Sequence, residues 1–347
     1  MAEAQDLWVH PDCSPMPTDR RGPFVVLNDG SLLTIGANEA LVSSDDGETW
    51  EKRATMYEGE GSGIPRSGPM IRTADGTLVL VYMDLEDYVF DWDPATGELN
   101  ADLDVWAIRS LDEGHTWVDR QRILDGYCGS LQNMIQTSSG RIVVPVQDAI
   151  TDPVRHGQYC FVSDDDGQTW RHGNLIDLGG RGDHDGGFEA TVVERTDATI
   201  WMLIRTNLDR FWEATSETDG LYWRRLGPSD IDASSSPGFL LRLDSGRIVL
   251  AWNRLYPEGL SDEEKAEYPR RGGDRRSEPN ASWHRDELSI AFSEDDGRTW
   301  TEPVVVARKK GGNLSYPYIF ERRPGELWIT TGGGPTRIVV NEEEFVE

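Results

Sequence analysis

The chain has 347 residues, with 62 Asp and Glu against 34 Lys and Arg, and a formal net charge of −28. That surplus repels a phosphate backbone and excludes nucleic acid as a general partner, though a local cluster of arginines can still hold a small anion. No stretch is long and apolar enough for a membrane-spanning helix, and Cys13, Cys128 and Cys160 are too scattered for a disulfide framework or a paired-cysteine metal site.

The opening "MAEAQDLWVHPDC" has no basic leader followed by an apolar run, so the sequence predicts a cytoplasmic protein. From residue 24 onward a unit recurs. It begins with two β-rich runs around a short polar turn: "FVVLNDGSLLTIG" (24–36), "PMIRTADGTLVLVYM" (69–83), "NMIQTSSGRIVVPVQ" (133–147), "ATVVERTDATIWMLIR" (190–205), "GFLLRLDSGRIVLAWN" (238–253) and "YPYIFERRPGELWITTG" (316–332). Each reads as a hairpin. A third apolar run follows, then an acidic box, then a polar fourth strand. The boxes are "SSDDGETW" (43–50), "SLDEGHTW" (110–117), "SDDDGQTW" (163–170), "SEDDGRTW" (293–300) and a worn copy, "SETDGLYW" (216–223). An Asp there suits a side-chain-to-backbone hydrogen bond and a Gly suits positive φ. The Trp is expected to bury its ring between neighbouring sheets. The ligand spacing of a calcium loop is absent.

Six four-stranded units predict an all-β fold, a six-bladed β-propeller occupying residues 1–347 as one domain. The sixth unit stops at "NEEEFVE" without a fourth strand, so a strand within "QDLWVHP" (5–11) is expected to complete it and close the ring. Two long interruptions, 84–104 in blade 2 and 254–285 in blade 5, leave their blades at the same corner and should overhang the same face.

Repeated S-x-D-x-G-x-T-W boxes on six such units resemble the sialidase (neuraminidase) superfamily, with its BNR or Asp-box repeats. The resemblance implies a glycoside hydrolase of the exo-α-sialidase type acting on a terminal acidic sugar, with three arginines on the substrate carboxylate. Arg21 in "RRGPFVVL" matches the family's Arg-x-Pro opening. Glu189 and Arg205 match the Glu that opens and the Arg that closes a strand pair in blade 4. Arg285 in "HRDELSIAFSEDDG" matches the third arginine, and Tyr316 in "LSYPYIFE" falls where the family places its nucleophile. The chemistry is coherent. A guanidinium fork meets a carboxylate with paired hydrogen bonds. A neutral phenol activated by Glu189 avoids the repulsion an anionic nucleophile would meet at a carbon bearing a carboxylate.

The chain departs from that family in blade 1. The loop that should carry the general acid, an Asp, is only "GANEA" (36–40), with Glu39 the nearest acid. Blade 2 offers substitutes: "GIPRSGPMI" brings Arg66 toward the axis as a further carboxylate contact. The insertion "DLEDYVFDWDPATGELNADLD" brings Asp84, Asp87, Asp91 and Asp93 with Tyr88 and Trp92, Asp87 being the candidate proton donor. "GGRGDHDGGFE" (179–189) delivers Asp183, His184 and Asp185 just ahead of Glu189. His184 is a candidate ligand contact, and with Tyr316 and the arginines it suits an alternative activity, β-elimination on uronate-containing glycans. A propeller that binds an acidic glycan without catalysis is the remaining alternative. No phosphate loop, HExxH or paired-cysteine motif calls for a cofactor or metal.

Overall fold

The computed structural model describes residues 7–57, 65–66, 68–85, 88–93, 95–272 and 276–346. Six antiparallel sheets, each with a four-stranded core, follow one another around the ring and carry the fold. Blade 1 pairs Phe24–Val26, Leu32–Gly36, Glu39–Ser43 and Glu51–Thr55 in that order; blade 2 pairs Met70–Arg72, Leu78–Asp84, Val105–Ser110 and Val118–Leu124. Blade 3 uses Ile135–Gln136, Ile142–Thr151, Val154–Ser163 and Arg171–His172, and blade 4 uses Phe188–Glu194, Ile200–Arg205, Arg210–Ser216 and Arg224–Asp232. Blade 5 is Phe239–Arg242, Ile248–Trp252, Glu287–Ser293 and Val304–Arg308; blade 6 begins Pro317–Arg323, Glu326–Thr331 and Arg337–Asn341.

Burial explains the strand compositions. The second strands are buried on both faces, as in Leu78–Asp84 and Ile248–Trp252, and so read as continuous apolar runs. The outermost strands, such as Glu51–Thr55, are largely exposed and polar. Among the described residues the core divides into six apolar clusters, one in each wedge between adjacent blades. Leu33 of blade 1, for example, packs with Leu78 and Leu80 of blade 2, while Val192 and Met202 of blade 4 pack with Val143 and Val162 of blade 3. The five box tryptophans sit in these wedges: Trp50, Trp117, Trp170, Trp223 and Trp300 each join the cluster on one side of their own blade.

The boxes are closed by their own side chains. In the first, Gly47 N donates to Ser43 Oγ at 2.8 Å, Thr49 N to Asp45 Oδ1 at 2.9 Å and Thr49 Oγ1 to Asp45 Oδ2 at 2.6 Å. The same bonds recur around Asp112, Asp165 and Asp295. In the worn copy Thr218 stands in for the Asp, its hydroxyl accepting from Tyr222 N at 2.8 Å.

The amino-terminal segment closes the ring, with a shift in the residues that do it. Cys13–Pro15 pairs with Arg337–Asn341 and completes blade 6. Trp8–Val9, inside the stretch expected to close the ring, instead adds a fifth strand outside Val304–Arg308 of blade 5. The turn at His10–Cys13, where Cys13 N donates to His10 O at 3.0 Å, carries the chain between the two blades.

Candidate active site

The site grows from two strand entrances with unusual backbone. Glu189, one residue into the first strand of blade 4, has φ 53°, and the register with Ile200–Arg205 shifts between Phe188 and Thr191. A bulge of this kind re-aims side chains. Here both Phe188 and Glu189 line one cavity instead of alternating across the sheet. Tyr316, immediately before the first strand of blade 6, has φ 58°, and its carbonyl accepts from Gly332 N at 2.9 Å. Left-handed backbone at a non-glycine residue is costly and concentrates at functional sites.

These two entrances meet. Tyr316 Oη donates to Glu189 Oε1 at 2.9 Å, and Arg205 Nη1 donates to Glu189 Oε2 at 2.5 Å. Arg205, at the end of the strand beside Glu189, also approaches Tyr316 Oη at 3.4 Å, and its Nε and Nη2 donate to Ser235 Oγ at 3.2 and 2.9 Å. Its nitrogens are thus committed to the protein, and it is only 3% exposed. Arg285 is less committed. Nη2 donates to Ser235 O at 2.8 Å and Nη1 reaches Ser315 Oγ at 3.4 Å, but the buried Nε has no partner. Its guanidinium stacks 4.8 Å from the Trp283 ring centroid.

The electrostatics follow from that packing. Burial pushes the Glu189 carboxyl up, but the charge and hydrogen bond of Arg205 outweigh it, and the group is held below its ordinary range. Burial and then the Glu189 charge raise Tyr316, so the phenol keeps its proton at rest. Burial, reinforced by the Arg205 charge, lowers Arg285 to about 10. One carboxylate between the buried Arg205 and the partly buried Arg285 leaves a local positive charge in a strongly acidic protein. An anion docking on Arg285 would relieve it.

The cavity, of about 190 Å³, is walled by Phe90, Tyr127, Phe188, Trp283 and two histidines. His184 is one of them, brought in by the 179–189 loop, in which Gly186 (φ 90°) passes so close to blade 3 that a Cβ would lie 2.3 Å from His156 O. The other, His156, is buried behind it. Its Nε2 donates to Asp183 O at 2.8 Å and its Nδ1 accepts from Gln147 Nε2 at 3.0 Å, an arrangement that satisfies the neutral ring. Phe90 and Trp283 come from the insertions of blades 2 and 5, so both do overhang one face.

Of the residues singled out from sequence, Tyr316, Glu189, Arg205, Arg285 and His184 share this cavity. Arg21 lines an adjoining one of about 480 Å³ that also contains Tyr316, and its Nη1 donates to Gly332 O at 2.8 Å. Arg66 lies in a short strand against Met83; its side chain, like the whole of Asp87, lies outside the described residues. The other acids of the blade 2 insertion are placed elsewhere. Asp84 pairs with Arg120 at 3.1 Å, and Asp91 and Asp93 lie on the exposed side of a hairpin, Val89–Asp93 with Glu98–Asp102, whose Phe90 and Trp92 face inward. Glu39 pairs at 2.8 Å with Lys52 of the neighbouring fourth strand, and the turn just before it, Ala37–Asn38, has only two residues and no room for an acid-bearing loop.

Sequence reasoning missed Phe90, Trp283, Ser235 and His156. A signal existed for Trp283, two residues before Arg285, and for Ser235 in the polar "ASSSPG" (233–238) at a blade entrance. His156 gave none, being one polar residue in a long strand.

A six-bladed propeller whose blade entrances converge on a Tyr, a buried Glu and a pair of arginines defines the sialidase-like class of architecture. The family profile described as "BNR repeat-like domain" matches residues 39–329, and the chain belongs to that family. A sialidase of Paraclostridium sordellii is 28% identical over 167 residues, covering 43% of this chain and 40% of that protein, so the chain matches well under half the length of this relative. Among solved structures, the NanB sialidase of Streptococcus pneumoniae superposes with a TM-score of 0.60 at 12% identity, over 99% of this chain and 71% of that one. An α-L-arabinanase of Penicillium chrysogenum superposes with a TM-score of 0.59 at 14% identity, over 97% and 100%. At such identities the structural likenesses speak to the fold alone.

Proposed function

We propose that the protein is a sialidase-like glycoside hydrolase that removes a terminal acidic sugar. The Tyr316–Glu189 hydrogen bond carries this reading. A phenol donating at 2.9 Å to a carboxylate that is itself anchored by Arg205 is a nucleophile paired with its base. Attack by Tyr316 Oη on the anomeric carbon, as the bond from that carbon to the leaving oxygen breaks, passes the phenol proton to Glu189, so that a neutral phenol and a carboxylate become a covalent tyrosyl–sugar bond and a neutral acid. Arg205 holds Glu189 in place throughout. Arg285, which lines the cavity and whose Nη1 makes only a long 3.4 Å contact with Ser315 Oγ, and Arg21, across Tyr316 in the adjoining cavity, are the arginines with donors left for a substrate carboxylate.

The test is release of 4-methylumbelliferone from a sialoside by the wild-type protein and by Tyr316→Phe. Turnover in the variant is expected to fall at least about 10³-fold, while binding of the sugar acid, read by calorimetry, persists. Retained turnover in the variant removes Tyr316 from the mechanism. A product absorbing in the ultraviolet from a uronate glycan would favour elimination instead.

A further inference from the structure

One group in the cavity has chemistry without a task. His184 Nδ1 is buried and lies 3.4 Å from Asp183 Oδ1, and neither atom has another hydrogen-bond partner. The His184 side chain is nevertheless 34% exposed. With Nδ1 turned inward, the open edge is the one that carries Nε2, and the ring lines the same cavity as Tyr316, Glu189 and Arg285.

The ring is held on several sides. Phe90 meets it edge-on at 6.2 Å between centroids and Trp283 lies at 6.4 Å. Its backbone N donates to Arg276 O at 2.8 Å and its carbonyl accepts from Asn207 Nδ2 at 2.5 Å. Asp183 is fixed from behind, since its carbonyl accepts from His156 Nε2. A buried carboxylate behind one imidazole nitrogen sets which nitrogen faces the cavity and balances the charge when the ring carries both protons. The 3.4 Å separation is long for a hydrogen bond, as such contacts often are before a substrate binds.

Expelling an alcohol from a glycosidic bond needs a proton donor, and blade 1 has only a two-residue turn where an acid-bearing loop would be needed. We propose that His184, oriented by Asp183, is the donor to the leaving group, an assignment that rests on the hydrolase reading above. In the first step Tyr316 Oη bonds to the anomeric carbon and gives its proton to Glu189. The bond to the leaving oxygen breaks, and that oxygen takes the Nε2 proton of the imidazolium, so the alcohol departs neutral. In the second step neutral His184 takes a proton from water as the water attacks the anomeric carbon. The bond to Tyr316 breaks, and Glu189 returns the proton to the phenol. Catalyst and charge are restored.

Leaving-group dependence tests this. A 4-nitrophenolate needs little help to depart and an alkoxide needs a great deal. His184→Gln is expected to lose about 10²-fold or more in kcat/KM on an alkyl sialoside and at least tenfold less than that on the 4-nitrophenyl sialoside. Asp183→Asn is expected to shift the ratio the same way, with a smaller loss. Melting curves and the remaining nitrophenyl activity show that the variants are folded. Equal losses on both substrates overturn the assignment and leave the hydrolase reading standing. Silence of the wild-type protein on both substrates overturns the hydrolase reading and the assignment together.

Discussion

Glu189 and Tyr316 occupy left-handed backbone at a cost of about 1–2 kcal/mol each, and their partners offset it: Arg205 on the carboxylate, Gly332 N on the Tyr316 carbonyl. His156 supports the same site through protonation. Burial lowers it to about 4, and its two hydrogen bonds suit the neutral ring. Its folded value lies below its unfolded value of 6.5, so between those limits the unfolded chain binds the extra proton and stability rises with pH. Above 6.5 the residue contributes no pH dependence. As pH falls from 6.5 toward about 4 it costs up to about 3 kcal/mol. The melting temperature of the wild-type protein is therefore expected to drop over that range more steeply than that of His156→Gln. Parallel curves would show that His156 is not the group responsible. The motif-borne residues Tyr316, Glu189, Arg205 and Arg285 were legible because each sits at a fixed offset from a repeat strand. His156, Phe90 and Trp283 were not, because long-range packing across three blades brings them to the cavity.

At the scale of the element, the recurring boxes are the clearest case of sequence dictating geometry. Asp45 and Asp295 are pulled down to about 2 by hydrogen bonds from Thr49 and Thr299 and from Ser43 and Ser293. A carboxylate depressed from 3.8 contributes stability that is present above that value and lost as pH falls toward about 2, below the window of His156. The boxes stand at the opposite corner of the blades from the cavity, at the turn between third and fourth strands, and they brace neighbouring blades: Asp296 of blade 5 accepts from Thr196 N of blade 4 and from Arg242 of its own blade. Asp45→Ala is therefore expected to lower the melting temperature by a few degrees at neutral pH and leave kcat unchanged. A change in kcat with the melting point intact would tie the boxes to function instead. Box spacing, hairpins and strand order were all readable in advance. Which face of the blade 2 insertion turns inward was not, since that depends on the pairing of Val89 with Asp102, and a one-residue slip exchanges Phe90 for Asp91.

For the whole molecule, the joint between blades 6 and 1 bears on whether the ring stays shut: residues 16–23 cross it, but they are tied to blade 6 only through the pairing of Cys13–Pro15 with Arg337–Asn341. Its apolar cluster is the smallest of the six, built on Met16, Phe24, Leu32 and Trp328. Polar contacts supplement it: Phe24 N donates to Tyr318 Oη at 2.8 Å, Trp50 Nε1 to Thr18 Oγ1 at 2.9 Å, and Asp46 takes ion pairs from Arg322 and Arg323. The catalytic candidates depend on this joint, since Tyr316 opens blade 6 and Arg21 opens blade 1. Two truncations separate the contributions. Removing residues 2–11 deletes Trp8–Val9 from the outside of blade 5 but keeps Cys13–Pro15 and Met16. Removing residues 2–16 also strips the closing strand, uncovers the Arg337–Asn341 edge and empties the site of a buried Met, a loss of about 2–5 kcal/mol from that side chain alone. The shorter deletion is expected to stay monodisperse, with a small fall in melting temperature. The longer one is expected to melt roughly 5–10 °C lower and to self-associate through its open edge, read by light scattering. Equal behaviour of the two would mean that the inter-blade contacts hold the ring without its last strand.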